Sequence, residues 1–389
     1  MLGLIDVFLL ISIVVMPMDP STMLPLDFLG IQLSVSRIVV IVSTVFLLFE
    51  AMLRRRLPNF GSLSLFFVWI IWYFISSFWG LNLVEPSSVI KQLFILVFIV
   101  LIVLFSNIEQ KKGNLRKALM VILFLSVLSA LIEQITGYRP PASRQHFFAS
   151  QLTGFFFNPD FLGCTIALLM PWLLDLEAGL LGNLLKLSFF LVSLFVVVRT
   201  ASYGALAAMV ISCGVYLVLR NRLYGFIKLI GLIVACVIFI LVGAQIGWLP
   251  SANVEKFFAI VEFGETFSYQ SRVLIWNQTL QLLSGHLLFG YGAGASEDIL
   301  GFSPHNLLFE IWVECGLVGV FLFLVGFSFI FIELALRLHE AEAKVFLSSL
   351  AASMPVWLTL SSVLLLWPFW VILGGAWACA FSRTPVHEK

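Results

Sequence analysis

The sequence predicts an all-α polytopic membrane protein with about twelve transmembrane helices and one longer external loop. Of its 389 residues, 61% are hydrophobic and only 11% are charged, whereas soluble domains carry roughly 25% charged residues. Apolar runs long enough to cross a bilayer, which takes about 20 residues, recur along the chain. The formal net charge of +1 gives no field that would attract nucleic acid. We therefore expect one transmembrane domain over residues 1–389 and no nucleic-acid partner.

The apolar runs can be placed one by one. We predict spans near residues 2–16, 35–52, 62–80, 90–106, 117–136, 160–174, 187–201, 203–219, 227–248, 306–333, 346–362 and 366–381. The first run has neither a basic start nor an A-x-A-like cleavage site, so we interpret it as a retained span. The five cysteines lie singly, mostly in apolar runs, and we interpret them as small hydrophobic side chains.

The basic residues predict the orientation. With a cytoplasmic N-terminus, fifteen of the 22 Lys and Arg residues fall on the cytoplasmic side, in line with the positive-inside rule. They are Arg54, Arg55, Arg56, Lys111, Lys112, Arg116, Lys117, Lys186, Arg220, Arg222, Lys228, Arg337, Lys344, Arg383 and Lys389. An even number of spans also places the C-terminus in the cytoplasm.

Seven basic residues remain on the non-cytoplasmic side, where positive charge is disfavoured. They are Arg37, Lys91, Arg139, Arg144, Arg199, Lys256 and Arg272. The two longest connections on that side are 137–159 and 249–305. We expect the second to be an external loop that carries part of the functional site.

The segment 271–283 has the apolar spacing of a short amphipathic helix lying along the membrane surface. The stripe consists of Val273, Trp276, Leu280 and Leu283. With Arg272 at the helix start, a phosphate would meet a guanidinium fork and free N–H groups together. The alternative is that Arg272 extends its charge to lipid head groups.

The glycine-rich segment 285–294 allows sharp turns and close backbone approach. It is not a P-loop, because the Lys-Ser/Thr pair that holds phosphate and metal is absent. His286 within it could be functional, but an interfacial histidine with satisfied hydrogen bonds is the better interpretation.

His305 stands at the outer mouth of the tenth span, where Pro304 suits a helix start. Glu310 and Glu314 follow on an adjoining helical face. A histidine near carboxylates can have its pKa tuned for proton transfer. The alternative is a histidine that only caps the helix.

Arg199 ends the seventh predicted span at its outer edge. An arginine near hydrocarbon normally faces a cavity or a partner, so we favour a functional role over extension to head groups. The acidic groups expected near the outer face are Glu133, Asp160, Glu310 and Glu314. None forms an Asp-x-Asp or His-Glu-x-x-His pattern, so we predict no metal site and no cofactor.

Four short motifs resemble the superfamily of O-antigen ligases and O-antigen polymerases. They are Asn158-Pro-Asp-Phe-Leu162, Ser202-Tyr-Gly-Ala-Leu206, Ser271-Arg-x-x-x-Trp276 and His305-Asn306. The last is the most specific, because the ligase pattern places nine residues between His-Asn and Gly-x-x-Gly. Here Leu307 to Cys315 are those nine residues, and Gly316-Leu-Val-Gly319 follows.

The resemblance implies a GT-C-like glycosyltransferase of the bacterial inner (plasma) membrane with a periplasmic active site. The donor would be a polyprenyl-diphosphate-linked glycan, and transfer would invert the anomeric centre without a metal. Arg272 and Arg199 would bind the diphosphate, while His305 would act as base on the acceptor hydroxyl or position it. The family often reads Ser-Arg-Gly where this chain has Ser202-Tyr203-Gly204, so Arg139 or Arg144 could replace Arg199.

The predicted substrate-binding residues are therefore Arg139, Arg144, Asn306, Tyr203, Trp276 and Glu310. Membrane lipid surrounds the whole domain, and the acceptor would be lipid A-core for a ligase. A polymerase with a second lipid-linked repeat as acceptor is the first alternative, because both enzymes use the same donor. A transporter of lipid-linked glycan is the second, although its ionisable groups should lie near the bilayer midplane.

Overall fold

The computed structural model is helical apart from one short β-ribbon. It describes residues 26–28, 31–33, 64–80, 112–139, 151–156, 158–177, 179–248, 267–301, 303–360 and 366–381. In chain order the elements are β1 (Leu26–Phe28), β2 (Ile31–Leu33), α1 (Ser64–Gly80), α2 (Lys112–Thr136), α3 (Pro159–Leu174), α4 (Leu180–Arg199), α5 (Tyr203–Gln245), α6 (Phe267–Leu283), α7 (Ala295–Leu300), α8 (Leu307–Leu336), α9 (Ala341–Thr359) and α10 (Trp367–Phe381). The two strands pair antiparallel, with Leu26 opposite Leu33, which the all-α prediction did not include. The helical class is confirmed for the remaining described residues.

Each predicted span that falls on described residues overlaps one of these helices. Within the described segments, four helices have the length and apolar composition to cross a membrane, namely Leu115–Thr136, Leu180–Arg199, Tyr203–Gln245 and Leu307–Leu336. Shorter apolar helices cover Phe66–Gly80, Pro159–Leu174 and Trp367–Ala380. The spans predicted near 2–16, 35–52 and 90–106 lie outside the described residues, so the total of about twelve stays a prediction.

Helix α5 contains a sharp bend that corresponds to two predicted spans, 203–219 and 227–248. Asn221 and Arg222 have non-helical backbone angles. Gly214 and Leu229, on opposite sides of the bend, are packed together: a Cβ on Gly214 would lie 2.6 Å from a Leu229 methyl group. Such contact needs the two halves to run back along each other, because fifteen residues of straight helix would extend over roughly 22 Å.

Helix α3 lies at the centre of the bundle and is buried along nearly all of its length. Asn158 begins it, since its side chain accepts a hydrogen bond from the Asp160 amide at 2.8 Å, and Pro159 occupies the first helical position. Gly163 lets the start of α5 approach closely, because a Cβ there would lie 2.7 Å from that of Ala205. Helix α9 packs against both α3 and α5.

Helix α8 is interrupted at Gly316, which has φ 70° and ψ −176°. The glycine-rich segment 285–294 accommodates the interruption through backbone hydrogen bonds. The amides of Tyr291 and Gly292 donate to the carbonyls of Val313 and Glu314, at 2.7 and 2.9 Å. In return the Leu317 amide donates to Leu287 O at 2.9 Å. The backbone groups released by the break thus find partners inside the protein, as an apolar bundle requires.

Charged side chains gather at two opposite ends of the bundle. At the first end Arg116 pairs with Asp175 at 3.1 Å, at the start of α2 and just past the end of α3. At the second end Arg139 pairs with Glu133 at 2.8 Å, near the end of α2. This division agrees with the predicted alternation of spans, in which the first end is cytoplasmic. The membrane side that each end faces stays a prediction.

We predict that Gly316→Ala lowers the melting temperature of the purified protein in detergent. The backbone angles at Gly316 are nearly exclusive to glycine and cost another residue about 1–3 kcal/mol, and a Cβ would also collide with the Leu288 carbonyl. Gly231→Ala is the matched control, because no atom lies within 4 Å of a Cβ placed there. Equal melting temperatures for the two variants would contradict the described break.

Candidate active site

Arg272 lies on the face of α6 that is turned towards the bundle. Its Nη2 donates to the Thr359 carbonyl at 3.0 Å, at the C-terminal end of α9, where a cation is favoured by the helix dipole. Burial lowers the pKa of Arg272 from its ordinary value, and the negative charge of Asp160 opposes this shift. Because an arginine side chain stays protonated in proteins, the Arg272 guanidinium carries its charge in a partly desolvated position. Its electrostatic interactions are stronger there than in water.

The predicted helix around Arg272 needs one correction. The helix already includes Phe267, so Arg272 lies beyond its first turn and not beside its free N–H groups. Trp276 forms a hydrogen bond to the rest of the protein, and Thr279 and Leu283 are buried. Leu280 of the predicted apolar stripe is exposed, and the position of this helix along the membrane surface stays a prediction.

His305 is held just outside α8 in a left-handed backbone conformation, with φ 53°. Two neighbours fix this turn. The Trp276 indole donates to the Pro304 carbonyl at 3.0 Å. The Asn306 side chain accepts hydrogen bonds from the Leu308 and Phe309 amides, at 2.9 and 3.3 Å. Helix α8 therefore begins at Leu307, and Asn306 is its N-cap. Pro304 was predicted to lie at the helix start, but it lies two residues before the cap.

The His305 side chain is suited to accept a proton. Its Nδ1 is buried and has no hydrogen-bond partner among the described residues. Burial, followed by the positive charge of Arg272, lowers the pKa of His305 from its ordinary value of 6.5, and Asp160 opposes the shift. Both effects favour the neutral ring, which is the form that can accept a proton. Arg272 and His305 thus lie within electrostatic range of each other, and Asp160 lies within electrostatic range of both.

Asp160 was expected near the outer face but was given no role from the sequence. It lies in the first turn of α3 and influences the electrostatics of both Arg272 and His305. The signal that could have identified it is its place in the Asn158-Pro-Asp motif. Asn158 caps the helix, and this cap fixes the position of the Asp160 side chain in the first turn.

Arg199 meets a different group of side chains. Its Nη2 donates to Gln134 Oε1 at 3.0 Å and its Nη1 to the Trp248 carbonyl at 3.4 Å. Its Nε is buried without a hydrogen-bond partner in the described part of the chain. The Arg199 guanidinium is also within electrostatic range of Glu133 and Arg139. Its Nε–H group therefore stays available as a donor.

Arg139 is more firmly engaged than Arg199. Its Nε pairs with Glu133 Oε1 at 2.8 Å, and its Nη2 donates to the Gln151 carbonyl at 2.8 Å. Glu133 also accepts from the amides of Thr153 and Gly154, at 2.8 and 2.6 Å. These bonds fasten the connection between α2 and α3 at both ends. Arg144 lies outside the described residues.

Tyr203 is half-buried at the first position of α5, next to the end of α9. The adjacent Gly204 packs so closely against Thr359 that a Cβ there would collide with the threonine side chain. Since the Thr359 carbonyl also binds Arg272, the end of α9 links the Tyr203 turn to the Arg272 side chain. Gly204, which matches the glycine of the family's Ser-Arg-Gly pattern, is therefore required for the close packing of α5 against α9.

Glu310 and Glu314 point into the bundle and are almost fully buried. Glu314 accepts hydrogen bonds from the Tyr73 hydroxyl and, at 2.8 Å, from the Ser296 hydroxyl. One oxygen of Glu310 has no partner among the described residues. All five cysteines are free and buried. No three His, Cys, Asp or Glu side chains of the described segments converge as metal ligands do, so metal independence stays a prediction.

We predict that the pKa of His305, followed by NMR of labelled histidine rings, lies below 6.5. Removing the neighbouring positive charge in Arg272→Gln should raise it, and removing the opposing negative charge in Asp160→Asn should lower it further. His305→Gln assigns the signal. A wild-type pKa at or above 6.5, or the same response to both substitutions, would contradict the described cluster.

Two comparisons with known proteins bear on this site. Residues 188–324 match the family described as "O-Antigen ligase", a stretch that contains Arg199, Arg272 and His305. A Rickettsia conorii protein named "Putative polysaccharide ligase" is 25% identical over 275 residues. The alignment covers 65% of this chain and 63% of the relative, so the chain spans less than two thirds of the relative's length. The two matches confirm the predicted resemblance to the O-antigen ligase superfamily.

Proposed function

We propose that this protein is an O-antigen ligase-like membrane glycosyltransferase that moves a glycan from polyprenyl diphosphate to lipid A-core. The observation that carries the proposal is that α6 holds Arg272 against the end of α9 and, through Trp276, fixes the His305 turn. The two side chains lie within electrostatic range of each other and of Asp160. A neutral histidine beside a fixed guanidinium suits the removal of a proton near a negatively charged leaving group. The family match supports a ligase-like function in the coarser sense.

In the proposed reaction the acceptor hydroxyl oxygen attacks the anomeric carbon of the donor sugar. The bond from that carbon to the diphosphate oxygen breaks, and polyprenyl diphosphate leaves with both bonding electrons. The hydroxyl proton passes to His305. Attack from the face opposite the leaving group inverts the anomeric centre. Arg272 stabilises the charge that develops on the diphosphate, so this step does not need a metal ion.

Asp160 would hold Arg272 in place and stabilise the protonated His305 that forms during transfer. Arg199, whose Nε lacks a partner among the described residues, is the better candidate for a second diphosphate contact. Arg139 already binds Glu133 and Gln151, and would have to give up those bonds. Trp276 and Asn306 would act mainly by fixing the His305 turn.

The proposal includes a GT-C-like bundle of about twelve spans in the bacterial inner membrane, with both termini cytoplasmic and the site periplasmic. Its support is that Arg116 lies at one end of the bundle, whereas Thr359, the last residue of α9, binds Arg272 at the opposite end. Glu310 would contact the acceptor only if the substrate reaches past His305 into α8. A polymerase would use the same site with a lipid-linked repeat as acceptor.

The test uses purified protein in detergent, a synthetic polyprenyl-diphosphate glycan and EDTA, with two acceptors offered separately. We expect one glycan addition on lipid A-core. A ladder of products on the lipid-linked repeat would instead establish a polymerase. No product on either acceptor would contradict a glycosyltransferase and direct attention to a flipping assay for transport.

In the same assay we predict that Arg272→Ala and His305→Ala abolish transfer while membrane insertion and melting temperature are retained. Arg272→Lys should also be poorly active, because an ammonium group cannot form the two-pronged contact of a guanidinium. Arg222→Lys is the matched control, since Arg222 is exposed at the bend of α5. Normal transfer by both alanine variants would disprove the assigned site.

A further inference from the structure

A polar cavity lies at the Arg116 end of the bundle, opposite the candidate active site. The cavity opens to the surface and has a volume of about 460 Å³. It is lined by side chains from α2, α5, α9 and the connection after α3. The lining residues with charge or a hydroxyl group are Arg116, Asp175, Glu177, Tyr216, Arg220 and Lys344. None of them takes part in the proposed glycan transfer.

The cavity is remote from Arg272 and His305. Helix α9 joins the two places, because Lys344 lies in its first turn and Thr359, the partner of Arg272, is its last residue. Fifteen residues of helix separate them, which corresponds to roughly 22 Å. A ligand in this cavity would therefore not contact the candidate active site.

The hydrogen bonds inside the cavity leave positive charge unbalanced. Asp175 neutralises Arg116 at 3.1 Å and accepts from the Tyr216 hydroxyl at 2.9 Å. Arg220 donates only to neutral oxygens in its described bonds, namely Tyr216 Oη at 2.9 Å and Leu174 O at 3.1 Å. Its guanidinium is thereby fixed in position without a neutralising carboxylate.

Lys344 adds a second positive charge to the cavity wall. Its ammonium group has no described hydrogen bond or ion pair, and Glu177 is the one lining carboxylate besides Asp175. Three cations and two carboxylates give the lining a formal charge of +1. A singly charged anion would balance it.

The surroundings favour a lipid as the source of that anion. Lys186 of α4 donates to the Leu176 carbonyl at 2.6 Å, between Asp175 and Glu177. This bond brings the first turns of α4 beside the cavity, where Leu180 and Leu181 are 81% and 73% exposed. Acyl chains could lie on this apolar surface while a phosphate occupies the cavity.

We propose that the cavity binds the phosphodiester of a phospholipid head group, with Arg220 and Lys344 as its phosphate contacts. The site is independent of the proposed glycan transfer, and its test does not use that activity. Arg220 presents N–H donors from a fixed position, whereas Lys344 supplies a mobile point charge. Binding should weaken as salt is added, because the lysine charge is partly exposed.

The test measures binding of dioctanoyl phosphatidylglycerol to the purified full-length protein by native mass spectrometry. Dioctanoylglycerol, which lacks the phosphate, and inorganic phosphate, which lacks the chains, are measured in parallel. We expect phosphatidylglycerol to bind more tightly than either. Equal binding of dioctanoylglycerol would overturn head-group recognition, and equal binding of inorganic phosphate would overturn the lipid as its source.

Variants then locate the site. Lys344→Gln should weaken phosphatidylglycerol binding about fivefold, the effect of one basic residue near a charged lipid surface, and Lys344→Arg should restore it. Lys228→Gln is the matched control, because Lys228 is exposed and does not line the cavity. Equal losses in the Lys344→Gln and Lys228→Gln variants would overturn the assignment to this cavity.

Discussion

The need to satisfy backbone polar groups inside an apolar bundle is the constraint on which this structure depends. An unpaired N–H or C=O group costs several kcal/mol in hydrocarbon, so helix α8 can be interrupted at Gly316 only if another segment supplies partners. Segment 285–294 does so with its own backbone, and the Trp72 indole donates to the Cys315 carbonyl at 3.1 Å. The interruption fixes the segment that leads from α6 to His305.

The candidate site follows from where helices end. Arg272 contacts the last residue of α9, Asp160 emerges from the first turn of α3, and His305 precedes the cap of α8. Helix termini bring unpaired backbone groups and abrupt changes of direction to one place. A site built there is held by side chains such as Trp276 and Asn306, whose hydrogen bonds set the backbone rather than the chemistry. Substitution of Trp276 or Asn306 should therefore change the position of His305 without changing the charge of the site.

Much of the helical framework could be predicted from the sequence, because long apolar runs and positive-inside bias depend only on local composition. The His305-Asn306 motif was selected by its resemblance to the ligase pattern, and the roles of His305 and Arg272 stay predictions. The start of α6 was misplaced because 267–270 is a polar and aromatic stretch without a distinctive capping signal. The break at Gly316 was invisible because its partners lie about 25 residues earlier in the chain.

Tertiary contacts also separated residues that looked equivalent in the sequence. Arg139 and Arg199 were both candidates for the diphosphate, yet only Arg139 forms an ion pair with Glu133 among their described contacts. Asp160 became a candidate only from the structure. Its carboxylate lies within electrostatic range of Arg272, which is more than a hundred residues later in the chain. Spacing along the chain carries no information about such encounters.

That the Arg272 end of the bundle faces the non-cytoplasmic side is tested most directly by labelling with a membrane-impermeant maleimide. The five native cysteines are buried, so single cysteines can be introduced at exposed Asn277, near Arg272, and at exposed Asn221, in the bend of α5. We expect labelling of Asn277→Cys in intact spheroplasts, and of Asn221→Cys only after the membrane is opened. The reverse pattern would place the candidate site in the cytoplasm and contradict a periplasmic glycosyltransferase.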